Sequence, residues 1–322
     1  MRRLLTLVPA LTLVLALAPA HASVVPGWKS AAPMAYTRSF FGVARAGDGR
    51  LYAVGGYIVN PEYSPVGPVE AYTPSTNTWT TVSSLPNPRG ELSVASGGDG
   101  RVYAIGGYDA PCDCSSTEVD AYDPGTDSWT TVAPLPFGVA DAAAATSHGK
   151  IYVFGGYKVA GHPYLLDTVQ IYTPRTNSWT SGTRTPSIRY GATAVTGPDG
   201  NIYVIGGYSR RANISGIVKM YNPSTDGWTT KAPMPTARWF LAGALGKDGK
   251  IYAIGGSLTN ADIGVTTVEV YDPSTNTWAT APSLQVARSS LGVASVGGRI
   301  YAVGGETRPT ATNAVEFLPT RP

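Results

Sequence analysis

Six glycine pairs, Gly55-Gly56, Gly106-Gly107, Gly155-Gly156, Gly206-Gly207, Gly255-Gly256 and Gly304-Gly305, recur at spacings of 49 or 51 along a chain of 322 residues. A period near 50 commits a chain to β units that bury their faces against one another. Each pair closes a short run such as Leu51-Tyr52-Ala53-Val54 or Ile202-Tyr203-Val204-Ile205, apolar at every position. Unbroken apolarity rather than alternation predicts a strand covered on both faces.

Turn signals bracket that strand. Before it stand Asp48-Gly49, Asp99-Gly100, Asp199-Gly200, Asp248-Gly249 and the variants His148-Gly149 and Gly297-Gly298, residues that accept the positive φ of a tight hairpin. After a variable loop come Tyr72, Tyr122, Tyr172, Tyr221 and Tyr271, each seven residues before Trp79, Trp129, Trp179, Trp228 or Trp278. The intervening Pro-x-Thr-Asn/Asp, as in Pro74-Ser75-Thr76-Asn77, predicts a second hairpin, because proline presets φ and the Asx side chain can bond backbone two residues on. Four strands per unit follow, with the wide indole of the outermost one packed against the next unit.

Ten residues after each Trp the following unit opens, on Arg38, Arg89, Arg189, Arg238 or Arg288, and on Val139 in the third. Trp28 keeps that spacing to Arg38 but has no Tyr-Pro strand before it, while Val315-Glu316-Phe317-Leu318-Pro319 has no Trp after it. The strand at Trp28 is therefore expected to complete the unit begun by Arg288, with Phe317 in the place of the tyrosine. Pairing the two ends removes the open edges of an unclosed array.

With these residues in hand the sequence resembles the kelch-repeat family, whose hallmark is a strand ending in Gly-Gly followed by a spaced Tyr and Trp. The resemblance runs from Trp28 to Pro319 and implies an all-β, six-bladed kelch-type β-propeller, the sixth blade closed by the N-terminal strand. No adaptor or DNA-binding domain precedes the repeats, so partners tied to such domains are not expected. Similarity to kelch domains that bind peptides implies that two kinds of position rim one mouth of the central channel. One is the residue after each glycine pair, here Tyr57, Tyr108, Tyr157, Tyr208, Ser257 and Glu306. The other lies two beyond each opening Arg, here Phe40, Glu91, Asp141, Gly191, Phe240 and Ser290.

A role imposed by blade geometry recurs in every unit, so a residue that breaks the repeat is freer to serve function. The recurrent Arg reads chiefly as structural, because a buried guanidinium needs several acceptors and a ring of carbonyls supplies them. Arg38 and Arg89 are kept among the ligand-binding candidates for their closeness to the mouth, with Phe40, Tyr57, Tyr108, Tyr157, Tyr208, Phe240 and Glu306. A phenol ring with a polar tip suits sugar and peptide surfaces alike. Glu91 and Asp141 are the catalytic candidates: carboxylates in unlike surroundings can divide acid and base duties, with Arg89 or Arg38 holding one ionised. Neutralisation of those arginines is the alternative.

Cys112-Asp113-Cys114 stands in the second variable loop. It is either a small local disulfide or two free thiols; a closed zinc site takes four ligands and no third partner accompanies them. His148 and His162 are the histidines left once an N-terminal segment is removed, too few for a kelch-borne copper site, which needs two converging histidines with tyrosine and cysteine. No phosphate loop, nucleophile elbow or His-Glu-x-x-His occurs. Neither metal nor cofactor is expected.

Met1-Arg2-Arg3, an apolar run from Leu4 to Ala18 and Ala20-His21-Ala22 have the three regions of a secretory signal. Residues 1–22 are thus expected to be removed and residues 23–322 to form the propeller, secreted or extracytoplasmic and not inserted in a membrane. Loss of Arg2 and Arg3 from 24 Lys+Arg leaves 22 against 21 Asp+Glu, a balance with no attraction for nucleic acid. Function then reads as a ligand-binding scaffold for carbohydrate or extended peptide. The alternative is a cofactor-free, epimerase- or mutarotase-like enzyme on sugars, using Glu91 and Asp141.

Overall fold

The computed structural model describes residues 27–59, 63–159, 164–209, 213–308 and 310–321; the expected signal segment and His162 lie outside them. It is a six-bladed β-propeller. Blade 1 is the antiparallel sheet Gly42–Arg45, Leu51–Val54, Val69–Thr73 and Thr78–Val82, ordered from the channel outward. Blades 2 to 5 repeat that order. In blade 6 the outermost strand is Lys29–Ala31, paired with Val315–Pro319 through Lys29↔Phe317 and Ala31↔Val315. The predicted closure is therefore present.

The second strand of each blade is buried at all four core positions, as in Leu51–Val54 and Ile202–Ile205. The reason lies in the core, which is divided among the six blade interfaces. One cluster joins Leu51, Ala53 and Tyr72 of blade 1 to Tyr301, Val303 and Val315 of blade 6, and five more do the same around the ring. Aromatic pairs cross these interfaces, such as Tyr52 with Tyr122 at 5.2 Å and Tyr103 with Tyr172 at 5.6 Å.

The Asx of the second hairpin adopts positive φ, as at Asn77, Asp127, Asn177, Asp226 and Asn276. Its Oδ1 accepts from the blade's own tyrosine, Tyr172 Oη to Asn177 at 2.8 Å, and from a backbone N–H of the preceding blade, Ala133 at 2.8 Å. The indole of Trp179 donates to the carbonyl of the same Ala133 at 2.8 Å. Each blade so clamps one residue of its predecessor at both polar groups. At the sixth interface Trp28 donates to the Pro282 carbonyl at 2.8 Å; Pro282 has no N–H to satisfy.

The sequence alignment of the last strand needs one correction. Leu318, paired with Ile300 as Tyr72 is with Leu51, fills the tyrosine position, and Phe317 matches Ala71. Phe317 instead faces Tyr301 at 5.7 Å, under the Arg299 guanidinium at 4.8 Å.

Candidate functional site at the channel mouth

The chain that carries each opening Arg also brings two further residues to the channel. The first bridges to the residue after its own blade's glycine pair, as Ser39↔Tyr57, Ala140↔Tyr157 and Tyr190↔Tyr208. The second is Phe40, Glu91, Asp141, Gly191, Phe240 or Ser290, and all six have φ between 48° and 60°. Left-handed backbone is uncommon for bulky residues, and here it has a visible cause. The N–H of Glu91 donates to the Phe40 carbonyl at 2.8 Å, Asp141 to Glu91 at 2.8 Å, Gly191 to Asp141 at 3.1 Å, Phe240 to Gly191 at 2.7 Å, Ser290 to Phe240 at 2.8 Å and Phe40 to Ser290 at 3.1 Å. Six blades are tied into one closed circuit of main-chain hydrogen bonds.

This circuit makes a neck. The six residues and those following them enclose about 110 Å³, while the channel beyond, lined by the innermost strands, encloses about 680 Å³. The neck is divided chemically. Phe40 and Phe240 meet edge to face at 5.0 Å, and a Cβ on Gly191 would sit 3.0 Å from the Phe240 ring. Around them runs an arc of rings: Tyr57 with Phe40 at 6.4 Å, Trp239 stacked on Phe240 at 4.2 Å, and Tyr190 within 5.5–6.1 Å of Tyr157, Tyr208, Trp239 and Phe240.

Glu91 and Asp141 form the other half. The Tyr157 hydroxyl donates to Glu91 in a short bond, while the Asp141 side chain has no hydrogen-bond or ion-pair partner among the described residues. Burial raises the Glu91 pKa, opposed by that bond. Burial, with the charges of Glu91 and Asp262, pushes Asp141 well above the usual carboxylate range. Burial, followed by the charges of Glu91 and Asp141, raises Tyr57 and Tyr157. Tyr190 is pushed up to about 12, first by burial and then by Asp141.

A second acidic pair stands above blade 6. Glu306 and Asp262 are 1% and 2% exposed, with the Arg308 Nε 3.3 Å from Glu306 and 3.7 Å from Asp262. Burial, reinforced by the Glu306 charge, pushes the Asp262 carboxyl up to about 6.

Several expectations are corrected by these positions. Arg38 and Arg89 do not line the mouth; they are 0% and 2% exposed. Arg38 bonds Glu70 at 2.7 Å and carbonyls of Ala53, Gly55 and Pro68, and Arg89 bonds Asp120 at 3.0 Å and the Gly106 carbonyl at 2.7 Å. Their charges are spent inside the blades, so they neither hold Glu91 or Asp141 ionised nor are neutralised by them. Arg189, opposite Lys219 instead of an acid, bonds three carbonyls and is pushed down to about 10 by burial. Val139 has Gln170 in that place, whose amide bonds the Phe137 backbone. Tyr57 is buried over Gly90, where a Cβ would lie 2.1 Å from its ring. Tyr108 turns outward, its hydroxyl on Asp113 at 2.7 Å.

Tyr190, Trp239 and Asp262 were missed. The first two share the column Ser39, Gly90, Ala140, Tyr190, Trp239, Ser289, which breaks the repeat as sharply as the column beside it and carried the needed signal. Asp262 lies in the variable loop after the fifth glycine pair, where residues do not recur from blade to blade. Cys112 and Cys114 are joined by a disulfide beside Asp109, and such sulfurs are not the thiolates a metal takes.

Comparison with known proteins agrees with this architecture. The family model described as the Attractin/LZTR1 beta-propeller matches residues 51–311. Kelch-like protein 36 of Bos taurus is 36% identical over 84 residues, 25% of this chain and 13% of that protein. Alpha-scruin of Limulus polyphemus is 26% identical over 151 residues, 45% of this chain and 16% of its own. The matches thus span under a fifth of these relatives' length. The solved structure of YjhT superposes with a TM-score of 0.74 at 16% identity, over 88% of this chain and 95% of that one, a likeness of fold.

Proposed function

Because the chain belongs to the Attractin/LZTR1 β-propeller family, whose kelch-type rings generally bind protein partners, we propose that it is an extracytoplasmic scaffold seating an extended peptide across the channel mouth. A carbohydrate is the other ligand that such a face suits. The observation that carries this reading is the arc from Tyr57 through Phe40, Phe240, Trp239, Tyr190 and Tyr208 to Tyr157. Rings with polar tips give large contact area at small entropic cost. The blades of this ring are fixed by their own clamps, so the face offers its side chains without rearranging. Export is supported by the charged, apolar and small-residue regions before Ser23 and by a disulfide of the kind that persists in oxidising compartments; N-terminal sequencing that begins elsewhere than near Ser23 would remove that support. Incubating the protein with peptide and glycan arrays tests the binding. Phe40→Ala with Phe240→Ala is expected to lower retention at least about tenfold with melting unchanged, and retention indifferent to both rings would overturn the proposal.

A second reading is favoured by one observation, the unlike surroundings of Glu91 and Asp141. Glu91 is hydrogen-bonded by Tyr157, while Asp141 lacks such a bond and burial raises its pKa, the kind of division of labour that proton exchange at a sugar carbon requires. If the protein turns over such a sugar, Glu91→Gln and Asp141→Asn should each lower kcat by about 10²–10⁴; turnover that survives both substitutions would leave binding as the sole function.

A further inference from the structure

The two halves of the neck suit one kind of guest. Among the described residues no basic side chain reaches Glu91 or Asp141, and Arg308 is engaged with Glu306 and Asp262 on the far side. Asp262, 2% exposed and 3.7 Å from the Arg308 Nε, is close enough for its charge to be felt at Asp141 in the neck and at Tyr190 beside it. Asp141 alone among these acids has no hydrogen-bond or ion-pair partner among the described residues; a carboxylate drawn from water without a partner is costly, and a cation brought by a ligand would supply what the chain does not. The facing half is aromatic, and ring faces attract cations.

Two alternatives fit less well. A shared metal ion needs ligand atoms that converge, and among the described residues the one such group of three is Asp109 with the cysteines, away from the neck. An anionic guest meets carboxylates on two sides. The space of about 110 Å³ compares with the roughly 10–15 Å³ that one water requires, which admits a planar cationic head.

We infer that the mouth is a receptor for an organic cation, the ammonium or guanidinium of a lysine or arginine side chain on the bound peptide, seated between Glu91 and Asp141 and the rings of Phe40, Phe240 and Tyr190. This rests on the reading of the mouth as a ligand-binding face, and deepens it by naming the chemistry recognised.

Benzamidine, a planar amidinium on a ring, and its neutral analogue benzamide separate the charge from the shape. Calorimetric titration of the whole protein is expected to show benzamidine bound at least about tenfold tighter than benzamide, a difference of about 1.4 kcal/mol. The Glu91→Gln/Asp141→Asn double variant is expected to lose that preference with its melting temperature not lowered; Asp141→Asn alone reads the same effect should the double variant not fold. Equal binding of the two probes, no binding of either, or a preference that survives neutralisation overturns the inference. A peptide array then judges the wider reading separately. Bound peptides that tolerate norleucine at every Lys and Arg sink the cation while sparing peptide binding; benzamidine bound through Glu91 and Asp141 with no peptide retained does the reverse.

Discussion

At the scale of single residues the mouth is held in tension with stability. Folding raises the pKa of Glu91, Asp141 and Asp262, chiefly by burial, which disfavours their charged forms. A carboxyl raised in this way contributes stability below its ordinary titration range and loses it as the pH rises through the folded value, which for Asp262 is about 6. Asp141→Asn is therefore expected to raise Tm near pH 8, by about 2 °C or more for each kcal/mol relieved, and to leave it within about 1 °C near pH 4. Scanning calorimetry at the two pH values checks this, and a Tm lowered near pH 8 contradicts it. The acids themselves were legible because they interrupt a column of the repeat. Their partners were not. Tyr157 reaches Glu91 from the next blade round, a pairing set by ring geometry at a separation no local pattern encodes, and Asp262 enters from a variable loop whose residues the repeat does not fix.

At the scale of the elements the recurrence carried nearly everything. The hairpin turns, the buried second strand and the Tyr-Asx-Trp spacing are each repeated, so six copies average out local noise. The function of that spacing became visible only in three dimensions, where Asn177 and Trp179 grip the N–H and carbonyl of Ala133 from the neighbouring blade. Trp179→Phe removes one bond to a half-buried carbonyl and is expected to cost about 1 kcal/mol. Asn177→Ala should cost more, about 1–3 kcal/mol, since it strips the acceptor from the Tyr172 hydroxyl and the Ala133 N–H at once. It also places alanine at a φ of 47°. Urea unfolding of the two variants ranks them, and the reverse order would show that the indole, not the Asx, carries the clamp. The one misplaced alignment, Phe317 for Leu318, fell where the repeat lacks its Trp landmark.

For the whole molecule, closure joins Lys29–Ala31 to Val315–Pro319, and Trp28, 4% exposed, anchors that strand in the core between blades 5 and 6. Trp28→Ala is expected to destabilise by about 3–5 kcal/mol, measurable by denaturant unfolding, and a loss below about 1 kcal/mol would mean that the ring does not depend on this strand. The same ring bears on how the protein can change over time. The six bonds around the neck run from backbone to backbone, so the aperture keeps its gauge whatever side chains project from it. Phenylalanine, glutamate, aspartate, glycine and serine already occupy equivalent places. The neck works like a lock cylinder with six interchangeable pins: a lineage can recut the pins for a new key while the barrel that holds them stays the same.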